Sequence, residues 1–385
     1  MDIYFHSTNT NKYSINSLTS AIENINGLNI YFFSSFNEIE EKIKNEKNTV
    51  IAFSFMSYNN KSELSLAKFI SNKFSKITLI AGGPHITDKN TKELSETFNH
   101  LFIGEGEISL RDFLLDKRHE KIIKSSKLVD INQFSSISEK YKRFGSIEIT
   151  RGCLHRCLYC QTPSIFGFKQ RHKKLENILK EIEILLRNNF RDIRFITPDL
   201  SSYGSENGKP DYKKINELVC SVNKTIKGKG RVFMGSFPSE IRPEHVNHDF
   251  CEILKGNTSS KRIIIGAQSL SDRILKKINR GHSADDVIKA VSLLKKYGFD
   301  VDVDFIFGFP FETEEDINIT KNGIEILTKK YNARIHIHYF MPLPQTGFEN
   351  LKPKPLDKEL RRYLSSLTAQ KLAFGQWEKQ LYHRT

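Results

Sequence analysis

Cysteine is missing from residues 1–152 of this 385-residue chain, and three of its five cysteines fall in the single run Arg151-Gly-Cys-Leu-His-Arg-Cys-Leu-Tyr-Cys160. That distribution argues against a disulfide framework, because three clustered thiols cannot all pair. Long apolar runs are also missing. None approaches the roughly 18–20 residues of a spanning helix, so no membrane span is expected. The start, Met1-Asp-Ile-Tyr-Phe-His6, lacks a basic segment followed by an apolar one. No signal peptide is therefore expected, and the cytoplasm is the expected compartment. No internal repeat or low-complexity tract stands out. The net charge is +14, yet no compact basic block with interleaved aromatics accompanies it. General solvation of a lysine-rich surface explains the charge better than a nucleic-acid partner does.

What remains is a globular composition, 38% hydrophobic and 27% charged, with length enough for two cores. Residues 1–115 alternate short apolar runs with helical stretches. Strands are expected at 3–5, 28–33, 50–55, 77–81 and 101–103, and helices at 14–24, 36–45, 64–73 and 90–98. This order predicts a doubly wound, Rossmann-like parallel sheet whose ligands bind at the strand C-termini. Two glycine-rich turns lie there, Ala81-Gly-Gly-Pro-His85 and Gly104-Glu-Gly-Glu107. Residues 116–145 show little periodicity and read as a linker. A second alternation occupies 146–345, with strands at 146–150, 193–197, 231–235, 263–267, 301–307 and 334–340. Six strand–helix units suggest an incomplete (β/α) barrel of TIM type, with its chemistry at the strand C-termini. The tail, 346–385, reads as helical. Its Phe374-Gly-Gln-Trp377 holds the one tryptophan, and ordinary packing explains it better than a cap on the barrel mouth. Cys220 and Cys251 sit in helical apolar patterns and read as core residues.

The cysteine run follows the first barrel strand. Three thiolates on one loop can hold three corners of an iron–sulfur cube and leave one iron open. A zinc site would want a fourth Cys or His at a matching spacing, and His155 is poorly placed for that. Gly152 gives the backbone freedom just before the first thiolate.

Cys153, Cys157, Tyr159 and Cys160 match the signature of the radical S-adenosylmethionine enzymes, and the resemblance extends over about residues 145–350. It implies a 4Fe-4S cluster whose open iron takes the amino and carboxylate groups of S-adenosylmethionine, which is then cleaved to methionine and a 5′-deoxyadenosyl radical. Gly266-Ala-Gln-Ser269, Asn279-Arg-Gly-His282 and Asp302-Val-Asp-Phe-Ile-Phe-Gly-Phe-Pro310 resemble same-order segments of such enzymes. By that match Gln268 and Arg280 contact the methionine part, Asp304 lies near the adenosyl group, and Ser236 lies near the ribose or methionine. A guanidinium suits the carboxylate because it forks onto both oxygens. Thr197-Pro-Asp199 stands where relatives carry a Gly-Gly-Glu-like turn for the methionine amine.

Ahead of such a module, the paired glycine turns resemble a cobalamin-binding domain. That implies contacts from Gly82, Gly83, Pro84, His85, Gly104, Glu105 and Gly106. The usual Asp-x-His-x-x-Gly after the first strand is missing, and His6 lies too close to the strand. The resemblance therefore implies cobalamin without a lower histidine ligand from this loop. The function implied is methyl transfer to an unactivated carbon of a small-molecule substrate. An electron donor such as ferredoxin or flavodoxin is the implied partner. A cobalamin-independent radical reaction is the alternative within this class. Gly266–His282 is also similar to the methylthiotransferases that modify RNA or protein. Those carry three further cluster cysteines in a front domain, which residues 1–152 lack.

Overall fold

The computed structural model describes residues 1–43, 46 and 48–382, in two units, 1–147 and 148 onward. The first unit runs β1 (Asp2–His6), α1 (Lys12–Ile22), β2 (Asn29–Phe33), β3 (Thr49–Ser54), α2 (Asn60–Lys73), β4 (Thr78–Gly82), α3 (Thr91–Leu94), β5 (His100–Ile103), α4 (Gly106–Leu114) and β6 (Ile122–Lys124). The strands form one parallel sheet in the order β2-β1-β3-β4-β5-β6. Successive residues of each strand point to opposite faces, and both faces are apolar. Ile3, Phe5, Val50, Ala52, Ile80 and Phe102 pack with Ile15 and Ile22 of α1 and Leu110 and Leu114 of α4. Tyr4, Ile51, Phe53, Leu79, Ala81 and Leu101 pack with Ala67 and Ile70 of α2 and Leu94 of α3 on the other face.

Three stretches differ from expectation. The helix expected over 36–45 is only a 3-10 turn at Phe36–Glu38, and residues 44 and 45 lie outside those described. The Tyr4 hydroxyl donates to the Lys42 carbonyl, so the tyrosine claims an oxygen that a continuing helix would use. The helix expected over 90–98 stops at Leu94. Asn99 pins the chain back to β4 through Asn99 N to Leu79 O and Leu79 N to Asn99 Oδ1. Residues 116–145, expected as a linker, belong to the first unit. They add β6 to the sheet edge and bury Val129, Ile131 and Ile137.

The second unit contains β7 (Ile147–Glu148, at the unit boundary), β8 (Thr150–Arg151), α5 (Thr162–Phe166), β9 (Arg171–His172), α6 (Leu175–Arg187), β10 (Asp192–Ile196), α7 (Tyr212–Ile226) and β11 (Arg231–Phe233). It continues with α8 (His248–Asn257), β12 (Arg262–Gln268), α9 (Asp272–Lys277), α10 (Ala284–Lys296), β13 (Asp300–Phe307) and α11 (Glu314–Glu325). Last come β14 (Arg334–Tyr339), α12 (Lys358–Ala369), β15 (Ala373–Phe374) and α13 (Trp377–Tyr382). The groups β7-β10-β11 and β12-β13-β14-β15 join through residues 239–241, which bridge to Thr197 on one side and Ile265 on the other. The result is a curved parallel sheet of TIM type that stays open. Capping boxes start α10 (Ser283 with Asp286) and α11 (Thr313 with Asp316). β15 was not expected in the tail, and the described tail ends at 382.

The strands β12 to β14 have two unlike faces. Ile263, Ile265, Val301, Val303, Phe305, Ile335 and Ile337 are fully buried on one face. The other face carries Arg262, Asp300, Asp302, Asp304, Arg334, His336 and His338 together with Ile264, Gly266, Gln268 and Ile306. Asp302 is bonded from both sides, by Arg262 and by Arg334.

Candidate active site

The loop between β8 and α5 carries Cys153, Cys157 and Cys160. Its shape depends on Gly152 (φ +85°), where an added Cβ would lie 2.4 Å from the Lys169 carbonyl oxygen. Neighbouring backbone bonds fix the loop: Cys153 N to Gly167 O, Cys160 N to Cys157 O and Leu158 N to Ile278 O. Cys153 and Cys157 are buried, and Cys160 is partly exposed. Burial pushes the Cys153 thiol up to about 12 and raises Cys160 as well. Such thiols are inert until a metal takes them as thiolates.

All three cysteines line one cavity of about 320 Å³, together with Tyr159, Thr197, Pro198, Phe237, Glu240, Arg242, Gln268 and Arg280. Gln268 ends β12 in the left-handed region, at φ +72° and beside a register shift. An uncommon backbone conformation at a cavity wall is a mark of a functional position. Arg280 Nη2 donates to the Gly266 carbonyl at 2.6 Å, and Nη1 lies 3.6 Å from Cys157 Sγ. Gly266 makes this possible, since a Cβ there would lie 2.6 Å from the guanidinium. Burial disfavours the Arg280 charge, but Tyr159 and Cys157 beside it more than offset that. Arg242 Nη1 is 4.0 Å from the same sulfur, and Nε bonds Glu244 at 2.6 Å. Although burial raises Glu244, His282 and Arg242 hold it down to about 2.

The remaining sequence candidates of this unit stand as follows. Ser236 Oγ accepts from Arg194 at 3.1 Å. Asp304 Oδ1 accepts from His336 Nδ1 at 3.0 Å. Asp199 does not stand open where a Gly-Gly-Glu-like turn would offer a free acceptor. It accepts from Ser201 at 2.6 Å and lies 3.0 Å from His245 Nδ1, with His155 Nε2 at 3.9 Å. Sequence reasoning missed Glu240, Arg242, His336 and His338. The histidines had one signal, polar alternation within Arg334-Ile-His-Ile-His-Tyr339.

In the first unit the two glycine turns close the C-terminal ends of β4 and β5. Gly83 has φ +99° and Gly104 φ +89°, and a Cβ on Gly83 would lie 2.7 Å from Phe55 N. His85 Nδ1 meets Ser57 Oγ at 3.0 Å, and burial lowers its basicity. Glu105 accepts from Val129 N at 3.0 Å and precedes Gly106, the first residue of α4. Gly82 and Pro84 flank the first turn. His6 is buried, with Nδ1 2.7 Å from Glu63 Oε2 and its ring against Phe33 and Phe53.

Residues 147–322 match the Radical SAM superfamily. The chain carries a radical SAM domain. Among curated relatives, an uncharacterised Methanocaldococcus jannaschii protein is 27% identical over 71% of this chain and 65% of its own length. A tRNA-2-methylthio-N(6)-dimethylallyladenosine synthase of Petrotoga mobilis is 28% identical, over 63% of this chain and 55% of the relative. The ribosomal protein uS12 methylthiotransferase RimO of Dictyoglomus thermophilum is 30% identical, over 58% of this chain and 51% of the relative. The chain thus spans between about half and two thirds of these relatives' lengths.

Among solved structures, the radical S-adenosylmethionine methyltransferase TsrM of Kitasatospora setae, with cobalamin and a [4Fe-4S] cluster bound, aligns at TM-score 0.65 and 14% identity. The alignment covers 90% of this chain and 76% of that one. The cobalamin-dependent S-adenosylmethionine radical enzyme OxsB aligns at TM-score 0.65 and 14% identity, covering 96% of this chain and 55% of that one. At these identities the radical SAM domain stands on the sequence match, and the structural likeness adds the shared fold. Among the described residues no helix is long and apolar enough to cross a membrane.

Proposed function

We propose that this chain is a cobalamin-dependent radical S-adenosylmethionine enzyme that methylates an unactivated carbon of a small molecule. One observation carries the reading: Cys153, Cys157 and Cys160 share a cavity with Gln268 and Arg280, in a chain whose fold follows a cobalamin-bound methyltransferase over 90% of its length.

The donor set fits a 4Fe-4S cluster with one open iron. Bound there, the cluster would supply the electron that splits S-adenosylmethionine, and cobalamin would carry the methyl group. The chain's own residues do the rest. The three thiolates hold the metal, and Arg280 and Arg242 place positive charge against Cys157 Sγ, which favours an added electron. Gln268 and the faces of Arg280 turned to the cavity hold the methionine part. Ser236 is assigned to the ribose end, while Asp304, whose carboxylate accepts from His336 Nδ1, is left out of the adenosyl contacts. At the ends of β4 and β5, the turns Gly82-Gly-Pro-His85 and Gly104-Glu-Gly106 allow close backbone approach to a cobalamin. His6 is committed to Glu63, so it supplies no lower ligand. Ferredoxin or flavodoxin is the proposed donor of electrons.

A methylthiotransferase is the second reading, favoured by the curated relatives at 28 and 30% identity. It requires a second cluster, and residues 1–152 hold no cysteine.

The test is reconstitution without oxygen, with iron, sulfide and hydroxocobalamin, followed by metal counts and S-adenosylmethionine cleavage. About four irons and one cobalt per chain support the methyltransferase. Four irons without cobalt would leave a cobalamin-independent radical enzyme, and about eight irons would favour the methylthiotransferase. Cleavage that persists after Cys153, Cys157 and Cys160 are all changed to Ala would refute the assignment. Arg280→Ala should keep the iron and weaken S-adenosylmethionine binding.

A further inference from the structure

The inner face of the barrel sheet holds a second group of donors. Small barrels of this kind fill their interior with branched apolar side chains. Here Asp304 of β13 and His336 of β14 are register partners, and His338 follows on the same face of β14. Ligand atoms of Asp304, His336 and His338 all lie within 4.8 Å of one another. The His336 ring is fixed by stacking on Phe374 of β15, with centroids 4.5 Å apart and planes within 5°. It meets the His338 ring edge-on at 4.1 Å. Neutral imidazole is the form that binds metals.

Glu240 adds to the picture from the next part of the sheet. Burial, reinforced by the negative charge of Asp304, raises its carboxyl to about 7. Glu240 also lines the cavity that contains the cysteines.

We propose that Asp304, His336 and His338 bind one divalent d-block cation such as zinc(II) on the inner face of the barrel sheet. Imidazole and carboxylate together suit this class of ion. Three protein ligands leave a further position, which would take an oxygen or nitrogen atom of a substrate. Phe374 holds His336 in place from its other side. The other histidine–carboxylate group, His155, Asp199 and His245, carries no such assignment, because a residue outside it, Ser201, already bonds both Asp199 Oδ1 and His245 Nδ1 through its Oγ. The metal assignment stands or falls independently of methyl transfer.

Zinc(II) is the probe. The full chain with its cluster reconstituted in metal-free buffer is titrated calorimetrically with zinc chloride, then desalted, and zinc and iron are counted by mass spectrometry. The wild type should retain one zinc per chain. His338→Ala and His336→Ala should each weaken zinc binding about 100-fold, and Asp304→Asn about 10-fold or more, with iron unchanged. His338→Gln, which keeps the volume, replaces His338→Ala as the readout if the alanine variant loses its iron. Zinc that is not retained by the wild type, or is retained equally by the His338 variant, overturns the proposal. So does zinc that is lost only on His245→Ala.

Discussion

The two parallel sheets of this chain share a strand–helix alternation and differ in the use of their second face. In the first unit both faces are apolar and covered by helices, so the strands read as near-continuous hydrophobic runs such as Val50-Ile-Ala-Phe-Ser54. In β12 to β14 one face is equally apolar, and the other carries Asp302, Asp304, Arg262, Arg334, His336 and His338. Burying charge costs free energy unless partners compensate. Arg262 and Arg334, both partly exposed, compensate Asp302, and Asp304 is bonded by His336, so this face keeps its charges only where partners meet them. The first sheet is a scaffold whose special residues are confined to the turns at its strand ends. The second ends β12 in Gln268, which lines the cavity that holds the cysteines.

The largest expected effect tests how far the site depends on backbone shape. Gly152→Ala places a Cβ 2.4 Å from a carbonyl oxygen at φ +85°. It should cost about 4 kcal/mol and most of the bound iron, read by iron content and denaturation of the reconstituted protein. Full iron content in that variant would show the loop to be far more pliant than its hydrogen bonds indicate.

Next comes the scaffold. Ile51→Ala removes a fully buried side chain of β3 and should cost about 3 kcal/mol. Iron content should not change. A parallel loss of iron would break the separation of roles drawn here.

The smallest effect is a pH dependence in the second unit. Glu312 follows β13 and accepts from Gly308 N at 2.6 Å and Phe309 N at 3.0 Å. Burial outweighs these bonds and raises its carboxyl to about 7. The folded state therefore holds this proton over a range where the unfolded state has released it. Its stabilising share is complete below the ordinary glutamate range and is lost as pH rises from about 4.5 through 7, with an upper bound of about 3 kcal/mol. Glu312→Gln should flatten the stability profile between pH 5 and 8. An unchanged profile would place the pH dependence elsewhere.

Much of the architecture was legible in the residues. Strand positions in both units came from short β-branched and aromatic runs, continuous in Val50–Ser54 and alternating with Asp in Asp300–Phe307. Misreadings fell where a single tertiary bond overrides a local pattern, as Tyr4 does at Lys42 and Asn99 does at Leu79. The short β15 escaped notice because two residues carry no period, and pairing with Ile335 and His336 alone makes them a strand.

The sequence by itself determined the cysteine loop, since three thiols at a short spacing converge wherever the rest of the chain goes, and Gly152 was marked by its place before the first of them. The tertiary structure alone decided that Arg280 reaches Cys157 across 123 residues, and that Asp304, His336 and His338 face one space. Those meetings depend on strand register and sheet curvature, which follow from the packing of the whole unit and leave no local signature in any one segment.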